Sequence, residues 1–553
     1  MRKPAFDEAG PLLEVRDLRV EGQSDDSWHE IVKGVSFDLK RGEVLGLIGE
    51  SGAGKSTIGL ASIGYVRPGC RIKSGQVRYK GIDLVSAPER HKRALWGAEL
   101  AYVAQSAAAA FNPAHRLIEQ CQEPAIIHGE RSEKKLRDKI VGLFRKLSLP
   151  EPEEIGERYP HQLSGGQLQR VMTVMAMSCH PGLLIFDEPT TALDVTTQIE
   201  VLATIKQIVD EFGVAAIYIT HDLAVVSQVA DRIIVLRYGE IVEEASTRKM
   251  LAAPEAAYTK TLWAVRKLDK QENLAAKPIL QLRDIDAGYG RSLKVLDQIN
   301  LDVPRGRTVA VVGESGSGKS TLARTIMGLQ PAFAGTIEFD GVALPFAFKQ
   351  RSVPLHRRIQ MIYQSPDTAL NPRRRVRDIL CRPLHRHLHL SAEARRQRVA
   401  ELMSMVELNT RLLERLPSEL SGGEKQRVCI ARALAVEPEL IICDEVTSAL
   451  DQIVAEGVLK LLLRLQQQIG ITYIFITHDL ATVRAISDWI VVMHRGRIVE
   501  QGPKSQILTP PRHPYTELLF SSMPEMDPAW LPRVLQKRQT GGAAQGASVE
   551  MSI

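Results

Sequence analysis

The sequence predicts an α/β fold built twice in tandem. Each copy is a mostly parallel sheet covered by helices, with an antiparallel β subdomain at its start and an inserted helical subdomain. Three observations carry this. The glycine-rich run Gly49 to Ser56 (GESGAGKS) returns as Gly313 to Ser320 (GESGSGKS), which places Lys55 and Lys319 264 positions apart (319 − 55). LSGGQLQR from Leu163 returns as LSGGEKQR from Leu420, and Asp187 and Glu188 return as Asp444 and Glu445, both at an offset of 257, as do His221 and His478 (478 − 221). In each copy a strand, a glycine loop and a helix are followed by alternating apolar strands and helical stretches. A repeat this long is a duplicated domain and not a solenoid.

Each copy opens on strand-like alternation, Leu13 to Val20 (LEVRDLRV) and Leu280 to Ala287 (LQLRDIDA). A second strand ends at a glycine-containing turn, Lys40 to Glu43 and Pro304 to Arg307. The apolar runs Val44 to Ile48 and Thr308 to Val312 then feed the glycine loop, and a helical pattern follows the lysine. That is the context a phosphate-binding loop requires, so each copy reads as a P-loop NTPase domain. Charged stretches with helical periodicity, Asn112 to Arg158 and Asn371 to Leu416, predict the inserted subdomain. The buried strands LLIFDE (Leu183 to Glu188) and LIICDE (Leu440 to Glu445) belong to the parallel sheet. The expected boundaries are a tip at 1–10, a first ATPase domain at 11–266, a polar linker at 267–278, a second domain at 279–525 and a disordered tail at 526–553.

Composition is ordinary for a globular chain, 44% hydrophobic and 25% charged over 553 residues. No apolar run approaches the roughly 18 residues that cross a bilayer. The start, MRKPAFDEAG, lacks the apolar core of a secretory signal, and the six cysteines are scattered without a CxxC pair, so a reducing cytoplasmic setting is expected. A net charge of +6 gives no case for nucleic-acid binding. Arg373 to Arg375 with Arg382 and Arg386 make one region basic, suited to lipid headgroups, to a permease or simply to water. Cys381, His385, His387 and His389 alternate with Leu and Arg, which favours a polar face over a metal ligand set.

Glycines 49, 52 and 54, and 313, 316 and 318, let the backbone wrap round phosphates, with the following helix N-terminus supplying positive potential. Lys55 and Lys319 are expected to reach the terminal phosphates, and Ser56 and Ser320 to coordinate Mg²⁺. Asp187 and Asp444 end apolar strands as Mg²⁺-side ligands, and the adjacent Glu188 and Glu445 polarise the attacking water.

This combined pattern resembles the nucleotide-binding domains of the ATP-binding cassette (ABC) superfamily over nearly the whole chain. The resemblance implies that the two domains pair head to tail, each ATP lying between one phosphate loop and the other LSGGQ segment. One site would join Gly49, Glu50, Ser51, Gly52, Ala53, Gly54, Lys55, Ser56, Thr57, Gln105, Asp187, Glu188 and His221 to Ser421, Gly422, Gly423 and Glu424. The other would join Gly313, Glu314, Ser315, Gly316, Ser317, Gly318, Lys319, Ser320, Thr321, Gln364, Asp444, Glu445 and His478 to Ser164, Gly165, Gly166 and Gln167. It further implies that Gln105 and Gln364 sense Mg²⁺ and couple to the membrane partner, that His221 and His478 contact the γ-phosphate, and that Asp194 and Asp451 link the sites. Tyr289 stands where the family stacks an aromatic on adenine; the first copy has Gly22 there, so either Trp28 substitutes or the first site binds adenine more loosely.

The spacing from loop lysine to signature serine, 109 (164 − 55) and 102 (421 − 319), leaves no room for a long coiled coil or zinc module. Transport is therefore favoured over a soluble ABC ATPase acting on nucleic acid or ribosomes. A second rival is a module that holds ATP without turnover, against which both copies keep the Lys, LSGG, Asp-Glu and His. QSAAAAFNP from Gln105, QSPDTALNP from Gln364, and the elements PRHPYTELL (Pro511 to Leu519) and PEAAYTKTL (Pro254 to Leu262) look like the oligopeptide/dipeptide importer subfamily. That implies import of peptides or peptide-like solutes, although relatives also handle opines, glycosides and nickel chelates. It also implies two integral membrane permease subunits, an extracytoplasmic solute-binding protein and a peripheral place on the cytoplasmic face of the inner membrane. No Cys follows Cys443, so the iron–sulfur cluster of many subfamily members is not expected.

Overall fold

The computed structural model describes residues 10–24, 27–191, 193–264, 269–290, 293–448 and 450–538. The predicted tip, except residue 10, and the tail beyond 538 lie outside these. The chain forms two units, one of residues up to Trp263 together with those from Pro524, the other Ala264–Met523.

In the first unit six strands lie in the order Glu240–Ser246, Arg232–Arg237, Val44–Gly49, Ala215–Ile219, Leu183–Asp187, Leu100–Val103. All neighbours are parallel except the outermost pair, Glu240–Ser246 against Arg232–Arg237. Val44–Gly49, Leu183–Asp187 and Ala215–Ile219 are buried along their whole length, which is why they read as unbroken apolar runs rather than alternating ones. An antiparallel sheet, Ser27–Leu39, Leu13–Ser24, Cys70–Tyr79 and Ile82–Asp83, packs on the same core. The insert carries helices Leu117–Ile127 and Glu133–Lys146. Ser132 caps the second by accepting from Lys135 N, and Leu136, Ile140, Leu143 and Phe144 turn one face inward at helical spacing.

The second unit repeats this order: Ile359–Ile362, Leu440–Asp444, Thr472–Ile476, Thr308–Val312, Trp489–His494, Arg497–Pro503, beside the antiparallel sheet Leu293–Pro304, Pro278–Tyr289, Ala332–Phe339 and Val342–Ala343. Among the described residues no helix is long and apolar enough to cross a membrane.

Two expectations change. Residues 269–277 of the predicted linker have no regular secondary structure, yet they are fastened to the second unit. Lys270 Nζ donates to Asp488 Oδ2 at 2.5 Å and to Gln466 Oε1 at 2.7 Å, and Glu272 accepts from Ser505 N and Oγ. The tail predicted to be disordered from 526 is ordered up to 538 and helical over 530–538. Trp530, Leu531 and Val534 fall on one helical face and are buried, an apolar contribution outweighed in the sequence by the polar composition that surrounds it.

Candidate functional site

Each glycine loop leads from the buried strand into a helix, Lys55–Ser62 or Lys319–Ile326. Gly54 and Gly318 cap these helices in the left-handed region, φ 89° and 105°, which a side chain would strain. A Cβ on Gly49 or Gly313 would lie 2.2 Å from the backbone oxygen of Leu236 or Met493, so the loop can follow its path only with glycine there. Lys55 Nζ donates to the Gly49 and Glu50 carbonyls at 2.8 Å each, and Lys319 Nζ to those of Gly313 and Glu314 at 2.8 and 2.6 Å. Both ammonium groups are thereby held over their own loops.

The strand ends bring the acids to the same place. Ser56 Oγ donates to Asp187 Oδ1 at 2.8 Å, and Ser320 Oγ to Asp444 Oδ1 at 3.3 Å. A hydroxyl and a carboxylate converging in this way are oxygen donors suited to a hard dication. Glu188 and Glu445 both adopt left-handed backbone conformations, φ 50° and 48°, unusual for a residue with a side chain. Their amides donate to Ile219 O and Ile476 O on the neighbouring strand, so the turn is held in place. Gln105 Nε2 donates to Glu188 Oε2 at 3.0 Å, and Gln364 Nε2 to Glu445 Oε2 at 2.7 Å. His221 Nδ1 lies 3.3 Å from Glu188 Oε1, and His478 Nδ1 lies 3.6 Å from Glu445 Oε1, an ion pair beyond hydrogen-bond reach.

These contacts set the charges. Burial pushes the Glu188 carboxyl up, but the hydrogen bond and charge of His221 outweigh it and hold Glu188 below its usual range. The His478 ring, paired with Glu445 as an ion 3.6 Å away, likewise holds that carboxyl below its usual range against burial. Burial lowers both histidines, whereas the glutamate partner raises each above its ordinary value on balance. A raised His221 contributes stability below its unfolded value of 6.5 and loses it as pH rises through the higher folded value. A lowered Glu188 contributes above 4.5 and loses it as pH falls through the lower folded value. The melting-temperature gap between wild type and His221→Ala is therefore expected to be widest between pH 4.5 and 6.5 and to narrow at alkaline pH. A gap that stays constant from pH 5.5 to pH 9, measured by calorimetry, would exclude the ion pair.

The sequence reading missed one partner. Tyr102 OH donates to Asp187 Oδ2 at 2.6 Å, and the corresponding position of the second unit is Met361. Asp444, without that donor, is pushed up by burial and by the charge of Glu445. Aligning the repeats, LAYVAQ on IQMIYQ, exposes this difference.

The signature residues open the helices Gly165–Met177 and Gly422–Leu434. Ser164 and Gln167, like Ser421 and Glu424, bond reciprocally as a capping box. Among the described residues these four bond within that box and not to the phosphate loop of their own unit. A Cβ on Gly166 would sit 1.8 Å from Thr197 Cγ2, so the signature helix lies hard against the helix Val195–Phe212, whose cap is Asp194.

The aromatic positions differ between units. Tyr289 is 43% exposed, and its hydroxyl accepts from Arg324 Nη1 at 3.0 Å. Trp28, the proposed substitute, carries the Arg71 guanidinium 4.1 Å above its ring, so one face is taken. Among the described residues no group of three or more His, Cys, Asp or Glu is arranged to hold a metal. His385, His387 and His389 instead line a cleft of about 1780 Å³ in the second unit with Arg374, Arg382 and Arg396.

The model of the ABC transporter family matches residues 32–191 and 296–448, and that of the oligopeptide/dipeptide transporter C-terminal region matches 499–547. The chain belongs to the ABC transporter ATP-binding proteins of the oligopeptide/dipeptide type. The glutathione import ATP-binding protein GsiA of Salmonella choleraesuis is 36% identical over 94% of this chain and 90% of its own length. GsiA of Pectobacterium atrosepticum is 37% identical over the same shares. A solved chain from Clostridium perfringens, part of an ABC transporter complex, is 30% identical over 42% of this chain and 91% of its own, with a TM-score of 0.39. As a member of this family the ATP-binding protein hydrolyses ATP to energise import of peptide-like solutes.

Proposed function

We propose that both units turn over ATP at the residues described above, and that the solute moved is a short peptide, with glutathione the first to test. Similarity to the GsiA proteins along nearly the whole chain carries the solute reading. The repeated cluster of loop lysine, Ser–Asp pair and Glu–His pair supports the site reading.

The loop amides, Lys55 and Lys319 hold the phosphates, exchanging their present carbonyl acceptors for phosphate oxygens. Ser56 and Asp187, and Ser320 and Asp444, with Gln105 and Gln364 nearby, would hold Mg²⁺, which when bound neutralises phosphate charge. Glu188 and Glu445, ionised at neutral pH, accept the proton of the attacking water at Oε1 or Oε2. His221 and His478 orient those carboxylates and donate toward the γ-phosphate. Ser164 to Gln167 and Ser421 to Glu424 present helix N-termini and capping hydroxyls to a nucleotide.

The partners we propose are two permease subunits and an extracytoplasmic binding protein, with the chain peripheral on the cytoplasmic face. The basic cleft of the second unit is a fitting surface for the permease. Uptake of labelled glutathione and of di- and tripeptides by cells expressing the chain with its neighbouring permeases tests this. We expect uptake that disappears with Glu188→Gln plus Glu445→Gln. Uptake of every peptide indifferent to those substitutions, or ATPase activity stimulated by RNA instead, would overturn it.

A further inference from the structure

The helix that follows His221, Leu223–Val229, is only two turns long and begins at Asp222, whose side chain accepts from Ala224 N and Val225 N. Near its other end is Gln228, a polar side chain only 3% exposed. Its Nε2 donates to Glu525 O at 2.6 Å and Asp527 O at 3.1 Å, and its Oε1 accepts from Leu531 N at 3.1 Å. The remaining contacts, Ala224 O and Ser227 Oγ, are within the helix. The buried amide is thus given over largely to the backbone of the C-terminal segment, which follows the second ATPase domain in sequence but belongs to the first unit.

The corresponding helix of the second unit, Leu480–Ile486, has Ala485 where the first has Gln228. It too is held at its C-terminal end by a segment following the other ATPase domain. Lys270 N donates to Arg484 O at 3.3 Å, and Asp488 accepts from Lys270 Nζ and Asn273 N. Lys270 and Asp527 are themselves 257 apart (527 − 270), the offset that relates the two histidines. The two segments are therefore equivalent parts of the repeat, and each fastens the helix after the histidine in the other copy.

We propose that residues 524–538 position His221 through Gln228, so that hydrolysis at the first site depends on chain lying beyond the second domain. This rests on the reading of His221 and Glu188 as parts of a hydrolytic site. A two-turn helix moves as one body, so loosening it at Gln228 shifts its start, where Asp222 adjoins His221. Gln228 is a positioning residue and touches no nucleotide.

The test uses the full chain with Gln228→Ala, Leu531→Ala and both. We expect kcat for ATP to fall about 2-fold or more, KM to stay within about 2-fold, and the double variant to match the worse single one. Hydrogen exchange should quicken in peptides covering 219–230 and stay unchanged in 476–487. Unchanged kcat in Gln228→Ala, additive losses, or quickened exchange in both regions would overturn the proposal. Should Glu188→Gln leave turnover intact, the hydrolytic reading fails by that result, and the exchange data still decide whether the tail fastens the helix.

Discussion

Glu188→Gln combined with Glu445→Gln is expected to lower ATP turnover at least about 100-fold while leaving ATP binding in place. The glutamine amide keeps the shape of the side chain and can still bond Gln105 and Gln364, which now sit 3.0 and 2.7 Å from the carboxylates. It cannot accept a proton, and it removes the negative charge that raises His221 and His478. The lysines and serines that hold phosphate and metal are untouched, so steady-state hydrolysis should collapse while equilibrium binding of labelled ATP persists. Turnover within a few-fold of wild type would show that another group activates the water.

Gly166→Ala is expected to destabilise the first unit by about 1–3 kcal/mol, the ordinary cost of overpacking, and Gly423→Ala to cost the second unit less. The added methyl at 166 meets Thr197 Cγ2 at 1.8 Å, and at 423 it meets Val454 Cγ1 at 2.4 Å. The neighbours also differ in freedom. Thr197 is tied to Asp194 by its amide at 2.9 Å and its hydroxyl at 3.0 Å, whereas Val454 is tied to Asp451 by its amide alone. Thr197 cannot rotate aside without giving up a half-buried charge-assisted bond. Denaturant unfolding of the two single variants measures the difference, and equal losses would show that the anchoring of Thr197 does not matter.

The fold was legible because its cues are local and doubled. Unbroken runs such as LLIFD and AAIYI have the length of buried parallel strands, and the loop glycines sit where backbone must approach backbone. Ser56, Asp187 and Glu188 and their counterparts were legible in the loop and strand-end motifs, whereas Gln105, Gln364, His221 and His478 were legible only through the resemblance to the ABC superfamily. Tyr102 was hidden because a tyrosine in a strand signals only burial, and its bond to Asp187 spans 85 positions of sequence. Gln228 was hidden for the same reason, its partners lying some 300 positions away. The tail misled because Trp530, Leu531 and Val534 are few among polar neighbours, and composition averages them out.

Because both copies lie in one reading frame, the substitution of Met361 for Tyr102 has a genetic consequence. Separate subunits carrying these two variants could assort into like and unlike pairs, and a population of assemblies would be a statistical mixture. Here stoichiometry is fixed by translation, and every molecule inherits one aspartate with a tyrosine donor and one without. Inequality between the halves is accordingly a property of each single molecule.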